Sequence, residues 1–332
     1  MDVSAPAALA PETLAPWRER LRHLDTVEPP VVVGCSGGPD SLALLALAVD
    51  AGLDPIAVHV DHGLRPGSDL ESALVAQAAA HLGARFHAEQ VTVAAGSNLE
   101  ARARHARYDA LERARGALGA TAVLVGHTAD DQAETVLLNL LRGSATAGLG
   151  GMPVRRDRIV RPLLSLRRAD TAEVCARLGL APFDDPMNSD LAFGRVRLRR
   201  EIIPTLEAVA GRDVVALLAR QADVLRSESD FLDALARAAW PPGDGSAPAA
   251  PLAAMPAVLA RRAVRCWLGP PPPSLDEVER VLAVAGGEAR ATELAGGRRV
   301  RRSRGELHLE LAAPGAKRSR ARTSGTAERS DP

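Results

Sequence analysis

Residues 34–41 read GCSGGPDS, after three valines (Val31, Val32 and Val33) and before LALLALAV. A continuous β-branched run is a strand buried on both faces, and the apolar residues beyond Asp40 continue as a helix. The octet therefore occupies a strand-to-helix turn. It lacks the lysine of a G-x-x-x-x-G-K-[ST] loop and the spacing of G-x-G-x-x-G. Gly37 and Gly38 let the backbone turn tightly and bring its N–H groups close to a ligand. The helix starting near Asp40 adds the positive end of its dipole. Together these make an anion seat suited to phosphate, with Ser36 and Ser41 as hydroxyl donors. Asp40 alone repels phosphate, so it makes sense as a Mg2+ ligand beside one. The competing reading is a tight turn whose serine and aspartate only cap the helix.

Outward from the octet, strands and helices alternate. Strands are expected at 31–35, 55–60, 85–93 and 121–126, and helices at 40–51, 69–82, 98–118 and 130–142. Ser97 and Glu100 are spaced as a capping box. A short amphipathic helix is expected at 12–24. The β/α rhythm predicts a parallel sheet with helices on both faces and ligands at the carboxyl ends of its strands. From 180 to 200 the rhythm stops in an acidic loop (Asp184, Asp185, Asn188, Asp190) followed by an arginine run. Residues 201–239 read as helices broken at Pro204 and Gly211, and 240–251 as a linker. Helices are expected at 252–268 and 274–284, a small hairpin at 291–311, and a disordered tail after 313. The division is an N-terminal helix (1–28), a catalytic α/β domain (29–210), a smaller mainly helical domain with a C-terminal hairpin (211–312) and the tail (313–332).

The 332 residues carry 41 basic and 41 acidic side chains, so any nucleic-acid site is a local patch. Aromatic residues are 2% of the chain, which excludes a base-stacking platform as the main binding device. Cys35, Cys175 and Cys266 are far apart, which argues against a zinc site, a cysteine-held cluster or a disulfide framework. Glu12, Arg18, Glu19 and Arg20 interrupt the first apolar stretch, and no apolar run reaches membrane-span length. A cytoplasmic protein with no membrane partner is expected.

Further constellations fall at the expected ligand edge. His59 and His62 flank the end of the second strand; His59 reads as a loop hydrogen-bonder, while His62 and Arg65 lie past the strand. In NLEARARHARYDAL (98–111), Arg104 and Tyr108 share a helix face, and Arg104 is a phosphate candidate. In LVGHTADDQAET (124–135), His127 leaves the fourth strand, and Asp130, Asp131 and Glu134 occupy the first turn of the next helix. Carboxylates there can simply stabilise a helix start. A strand-end histidine with three carboxylates is more than capping requires. Arg195, Arg197 and Arg199 in GRVRLRR form a candidate basic face for phosphate or tRNA. Arg298, Arg299, Arg301 and Arg302 form a second, with solvated surface as the equal alternative.

SGGPDS resembles the pyrophosphate-binding loop of the N-type ATP pyrophosphatases (PP-loop superfamily). With VDHGLR, NLEARARHARY, GHTADDQAET, GLGGM (148–152), RPLL (161–164) and IIP (202–204), residues 30–210 resemble the tRNA(Ile)-lysidine synthases. That resemblance implies a parallel-sheet, adenine-nucleotide α-hydrolase-like domain followed by a mainly helical one. It implies ATP as substrate, Mg2+, free L-lysine, and the isoleucine tRNA with a CAU anticodon; it allows a homodimer. The implied reaction is a ligation. The wobble cytidine is adenylated at C2, pyrophosphate leaves, and the lysine ε-amine displaces AMP to form lysidine. The codon read changes from AUG to AUA. The implied ATP contacts are Ser36, Gly37, Gly38, Pro39, Asp40, Ser41, His62 and Arg104, with Asp40 also the metal ligand. Asp40, His127, Asp131 and Glu134 are the implied catalytic set, Asp130, Asp131 and Glu134 the lysine seat, and Arg195, Arg197 and Arg199 the tRNA contacts. Where the family carries R-N-x-[IL]-R, this chain has Arg195-Val196-Arg197-Leu198-Arg199. The runner-up is a tRNA thiolase of the same fold, which the lack of a cysteine pair weighs against. A nucleotide-binding regulatory module is the reading from another class; it has no need of the second acidic cluster.

Overall fold

The computed structural model describes residues 13–21, 24–61, 68–92, 99–183, 193–241, 243 and 245–311. The chain divides into two compact units, with the boundary after Ser227.

The first unit runs through a single turn α1 (Ala15–Arg18), β1 (Val31–Gly34), α2 (Pro39–Asp50), β2 (Pro55–Asp61), α3 (Ser68–Leu82), β3 (Arg85–Gln90), α4 (Leu99–Ala117), β4 (Ala122–Val125) and α5 (Ala129–Leu141). There follow α6 (Thr146–Leu149), β5 (Arg155–Arg156), β6 (Ile159–Val160), α7 (Arg168–Arg177), α8 (Gly194–Arg197), a π turn (Leu198–Ile202), α9 (Ile203–Ala210) and the start of α10 (Val214–Ala239). The strands form one sheet in the order β3-β2-β1-β4-β6-β5. All neighbours are parallel except β5, which runs against β6.

The valine run explains the centre of this sheet. Side chains alternate across a strand, so Val31 and Val33 join α2 and α7 in one core with Leu42, Leu45 and Val174. Val32 faces the other way, into the core that Leu111 and Ala114 of α4 close. Both faces are dry, as a parallel sheet requires. Each such fully buried valine or leucine contributes roughly 1.5–3 kcal/mol. The chain leaves β1 for β2 on one side and returns to β4 on the other. That reversal opens a crevice at the carboxyl ends of β1 and β4, where doubly wound sheets bind ligands.

Several expectations change. Of the helix expected at 12–24, the described residues form one turn; no side chain caps its start, and Leu14, Trp17 and Leu21 are buried. The third strand ends at Gln90 instead of 93, since its one neighbour, β2, ends opposite at Asp61. Pro204 does not end the helical run but sits where the π turn gives way to α9. Gly211, at φ +63°, ends that helix as expected.

The second unit contains the rest of α10, β7 (Ser246–Pro248), α11 (Ala249–Ala254), α12 (Ala257–Leu268), α13 (Leu275–Gly286), β8 (Ala291–Glu293), β9 (Arg298–Ser303) and β10 (Glu306–Leu311). The strands form an antiparallel sheet in the order β7-β10-β9-β8. The linker expected at 240–251 is therefore structured from Ser246 onward, because Ala247, Ala249 and Leu252 are buried in this unit's core. The helix expected at 252–268 is broken at Pro256, and the hairpin at 291–311 is a three-strand meander. Its arginines have partners within the unit. Arg298 is buried and donates to the carbonyls of Leu268 and Pro271. Arg299 pairs with Glu293, Arg301 with Glu310, and Arg302 donates to the Ala285 carbonyl. His62, Arg65, Ser97, Asp184, Asp185, Asn188, Asp190 and the tail from 313 lie outside the described residues.

Candidate active site

A cavity of about 510 Å³ opens where β1, β2 and β4 end. Its floor is the octet. Gly37 turns the chain at φ +84°, a conformation that favours glycine. The Ser41 hydroxyl accepts from the Ser36 N–H (3.2 Å) and donates to the Gly38 carbonyl (2.9 Å), closing the loop on itself. His59, buried at the end of β2, hydrogen-bonds the Cys35 carbonyl at 3.0 Å, so its Nδ1 carries the proton. No side chain caps α2 at Gly38. In its first turn Pro39 has no N–H and the Ser41 N–H goes to the Gly38 carbonyl (3.2 Å), so the Asp40 N–H and the dipole of this 12-residue helix are what face an anion.

The octet is pressed against β4. A Cβ built on Gly126 would lie 2.9 Å from the Asp40 carbonyl oxygen, so only glycine fits there. Asp40 stands at this junction. Thr171 of α7 donates to its Oδ1 at 2.5 Å, and the Arg168 Nε lies 3.8 Å from its Oδ2. Burial, opposed by the Thr171 hydrogen bond, pushes the Asp40 carboxyl up to about 6.

The start of α5 forms the opposite wall. Asp131 accepts from the Thr128 N–H (2.9 Å) and hydroxyl (3.1 Å), a capping box closed from the N3 position. Its other oxygen takes a hydrogen bond from Arg168. Burial raises the Asp131 carboxyl, but Arg168, His127 and the Thr128 donors outweigh it and hold the group below its ordinary value. Asp130 binds the Arg168 N–H at 2.9 Å and the Arg167 guanidinium at 3.2 Å, docking α7 on α5. Glu134 is fully buried. Its Oε1 accepts from Arg168 (2.8 Å) and Arg199 (2.9 Å), and Arg195 lies 3.7 Å from its Oε2. His127 is half-buried and lines the cavity, with its Nδ1 shielded and without a hydrogen-bond partner. Burial and the nearby Arg104, Arg161 and Arg195 push its imidazole down to about 4, so the ring is neutral at ordinary pH.

Of the residues singled out from sequence, Ser36, Gly38, Pro39, Asp40, Ser41, Arg104, His127, Asp131 and Arg199 line the cavity, and Gly37 makes its turn. Asp130 and Glu134 sit behind the wall, tied to arginines. The arginine run is not one face. It is helical, and Val196 and Leu198 are buried within it. Arg195 and Arg199 turn to Glu134, while Arg197, 62% exposed, pairs with Glu201. The hydrophobic Val196 thus fills a buried position.

Sequence reading missed Arg168, Thr171, Gly126 and Glu71. Arg168 and Thr171 come from α7, and nothing in RRADT marks them. Gly126, just before His127 at a strand exit, was the one legible signal. Two motifs prove structural. The Gln132 amide clasps the Met152 backbone at both ends (3.0 and 2.7 Å), and a Cβ on Gly151 would meet it at 2.6 Å. Cys35 and Cys175 are buried thiols, pushed up to about 12 and about 11 by desolvation. Among the described residues no group of three or more His, Cys, Asp or Glu is placed to hold a metal ion. A cation here needs ligands from a bound phosphate, the Mg2+ pattern of one or two carboxylates plus substrate oxygens, and Asp40 fits it. Among the described residues no helix is long and apolar enough to cross a membrane.

Comparison with known proteins adds to this geometry. Residues 16–206 match the family model of the PP-loop domain, and residues 248–308 that of the TilS substrate binding domain. The tRNA(Ile)-lysidine synthase of Nocardia farcinica is 49% identical over 74% of this chain and 77% of its own length. That of Salinispora arenicola is 41% identical over 91% of this chain and 97% of its own. Among solved structures, a U34-tRNA thiolase from Methanococcus maripaludis with its [4Fe-4S] cluster aligns with a TM-score of 0.53 at 18% identity. That alignment covers 65% of this chain and 80% of the thiolase, a likeness of fold.

Proposed function

This chain belongs to the tRNA(Ile)-lysidine synthase family, and from that membership and the cleft geometry we propose how it forms lysidine in tRNA(Ile). The observation that carries the reading is the junction of an uncapped α2 N-terminus, Asp40 and the His127–Asp131 wall around one cavity.

ATP lies with its β- and γ-phosphates over Ser36, Gly37, Gly38, Pro39 and Ser41, where backbone N–H groups and the α2 dipole meet the charge of departing pyrophosphate. Mg2+ on Asp40 offsets the remaining charge when it is bound. Arg104, stacked on Tyr108 at 5.4 Å to the ring centroid, and Arg199 supply cationic edges to the same cavity. The cytidine C2 oxygen attacks the α-phosphate and pyrophosphate leaves. Free lysine is mostly ammonium at neutral pH, so a carboxylate has to place it. Asp131 is the member of the acidic trio that faces the cavity, and it is held ionised. Asp130 and Glu134, committed to arginines, hold Asp131 and α7 in place. As the ε-amine attacks C2 and AMP departs, the neutral imidazole of His127 at the cavity wall takes up the amine's proton. The enzyme is thus a carbon–nitrogen ligase acting in the cytoplasm on the CAU-anticodon tRNA.

Sulfur transfer is disfavoured because thiolates are the reactive form, and burial keeps Cys35 and Cys175 protonated. The test is alanine at Asp131 or Asp40: lysidine formation should vanish while the fold is kept. Wild-type activity in either variant contradicts its role.

A further inference from the structure

The proposed mechanism leaves α7 without a part, yet α7 reaches the octet with two side chains one turn apart. Thr171 is fully buried. Its hydroxyl has one proton and two acceptors in reach: Asp40 Oδ1 at 2.5 Å and the Arg168 carbonyl at 2.9 Å. The carboxylate is nearer, so it takes the proton. Arg168 stands 3.8 Å from the other oxygen of Asp40 and is itself fixed by Asp131 and Glu134. The α7 backbone is pinned by Asp130 on the Arg168 N–H, and Cys175 one turn further on touches the Pro39 carbonyl at 3.4 Å. α7 is thus packed along the first turn of α2 with a single hydroxyl aimed at the one carboxylate of the octet.

We propose that Thr171 is a positioning residue for the ligation. By holding Oδ1 of Asp40 it fixes the carboxylate's rotation and presents Oδ2 to the cation that accompanies ATP. The inference rests on the reading of Asp40 as the metal ligand. Partners of ligating carboxylates commonly matter by 10–100-fold in metal affinity or activity. The chemistry is specific to a hydroxyl: valine has nearly the same shape and no donor.

The experiment follows Mn2+–ATP bound to the whole protein by water-proton relaxation, which reports the ion's seat without turnover, alongside lysidine formation at varied Mg2+ and lysine. Thr171→Val should weaken Mn2+–ATP binding about ten-fold and raise the Mg2+ requirement to match, with KM for lysine unchanged. Thr171→Ser should restore most of both. A merely structural role would lower activity without moving the Mg2+ requirement, and that outcome overturns the proposal. Asp40→Asn separates the two levels. If it loses the relaxation signal and Thr171→Val keeps it, the positioning role is wrong and Asp40 stands. If Asp40→Asn also keeps it, the metal reading beneath the proposal is wrong. Urea unfolding of each variant checks the fold, and Thr171→Ala replaces the valine if that variant does not fold; it should show the same shift.

Discussion

Replacing Arg168 with glutamine removes the group that joins three carboxylates of the cleft. The magnitude follows from what each partner keeps. Glu134, whose side chain is 1% exposed, loses a 2.8 Å bond but retains Arg199 at 2.9 Å. Asp131 loses its guanidinium and retains both Thr128 donors. Asp40 keeps Thr171 and loses a cation at 3.8 Å. Stripping one partner from a buried pair costs about 3–5 kcal/mol when the other is orphaned. None is orphaned here, so about 2–3 kcal/mol is expected. For a unit of this size that is a fall in Tm of about 5–10 °C. Trp17 lies in the first unit and Trp240 and Trp267 in the second, so replacing the latter two with phenylalanine isolates the relevant transition. Arg197→Ala, which breaks only the exposed pair with Glu201, is the control and should cost under about 0.5 kcal/mol. If Arg168→Gln costs no more than this control, the pairs are solvent-screened and the account of a buried, arginine-locked wall fails.

Gly126→Ala puts a methyl 2.9 Å from the Asp40 carbonyl, so β4 and α2 must separate and lysidine formation should fall at least ten-fold; unchanged kcat/KM would contradict the close approach. In EDTA, two groups set opposite pH slopes. His127, lowered from 6.5 to about 4, costs stability as pH falls through that window, because only the unfolded chain takes up the proton. Asp40, raised from 3.8 to about 6, adds stability as pH falls through its own window. Each is worth about 3 kcal/mol, so they nearly cancel in the wild type. Asp40→Asn should therefore lose about 2 kcal/mol more than wild type between pH 7 and 4.5, and parallel urea-denaturation profiles would contradict this. Cys35→Ala and Cys175→Ala should cost stability through lost packing yet leave turnover of the folded protein intact; loss of turnover would revive sulfur chemistry.

What could be read from the chain alone was what local pattern encodes. The valine run, the glycines of the octet and the His-Asp-Asp-Glu start of α5 all lie within single strand-to-helix turns. The sheet and the cavity-facing residues Asp40, His127 and Asp131 follow from those turns. What stayed hidden was set by tertiary packing. Asp130 and Glu134 look like ligand groups in sequence because their partners, Arg167, Arg168 and Arg199, lie more than thirty residues away. Thr171 is an ordinary helix residue until α7 packs on α2. In the second unit, Pro and Gly around 240–251 suggested a linker, but buried Ala247 and Leu252 decided the outcome there. The basic run at 298–302 read equally as binding surface or solvated face, because its partners are backbone carbonyls and glutamates on the neighbouring strands, which only the strand register brings opposite it.

The central claim is tested most directly by incubating the purified protein with ATP, Mg2+, radiolabelled lysine and a transcript of the CAU-anticodon isoleucine tRNA, with the methionine elongator tRNA as control. The account predicts label in the isoleucine tRNA alone, with one AMP and one pyrophosphate released per lysine incorporated. Label in neither tRNA, or AMP release that does not depend on the isoleucine tRNA, would contradict it.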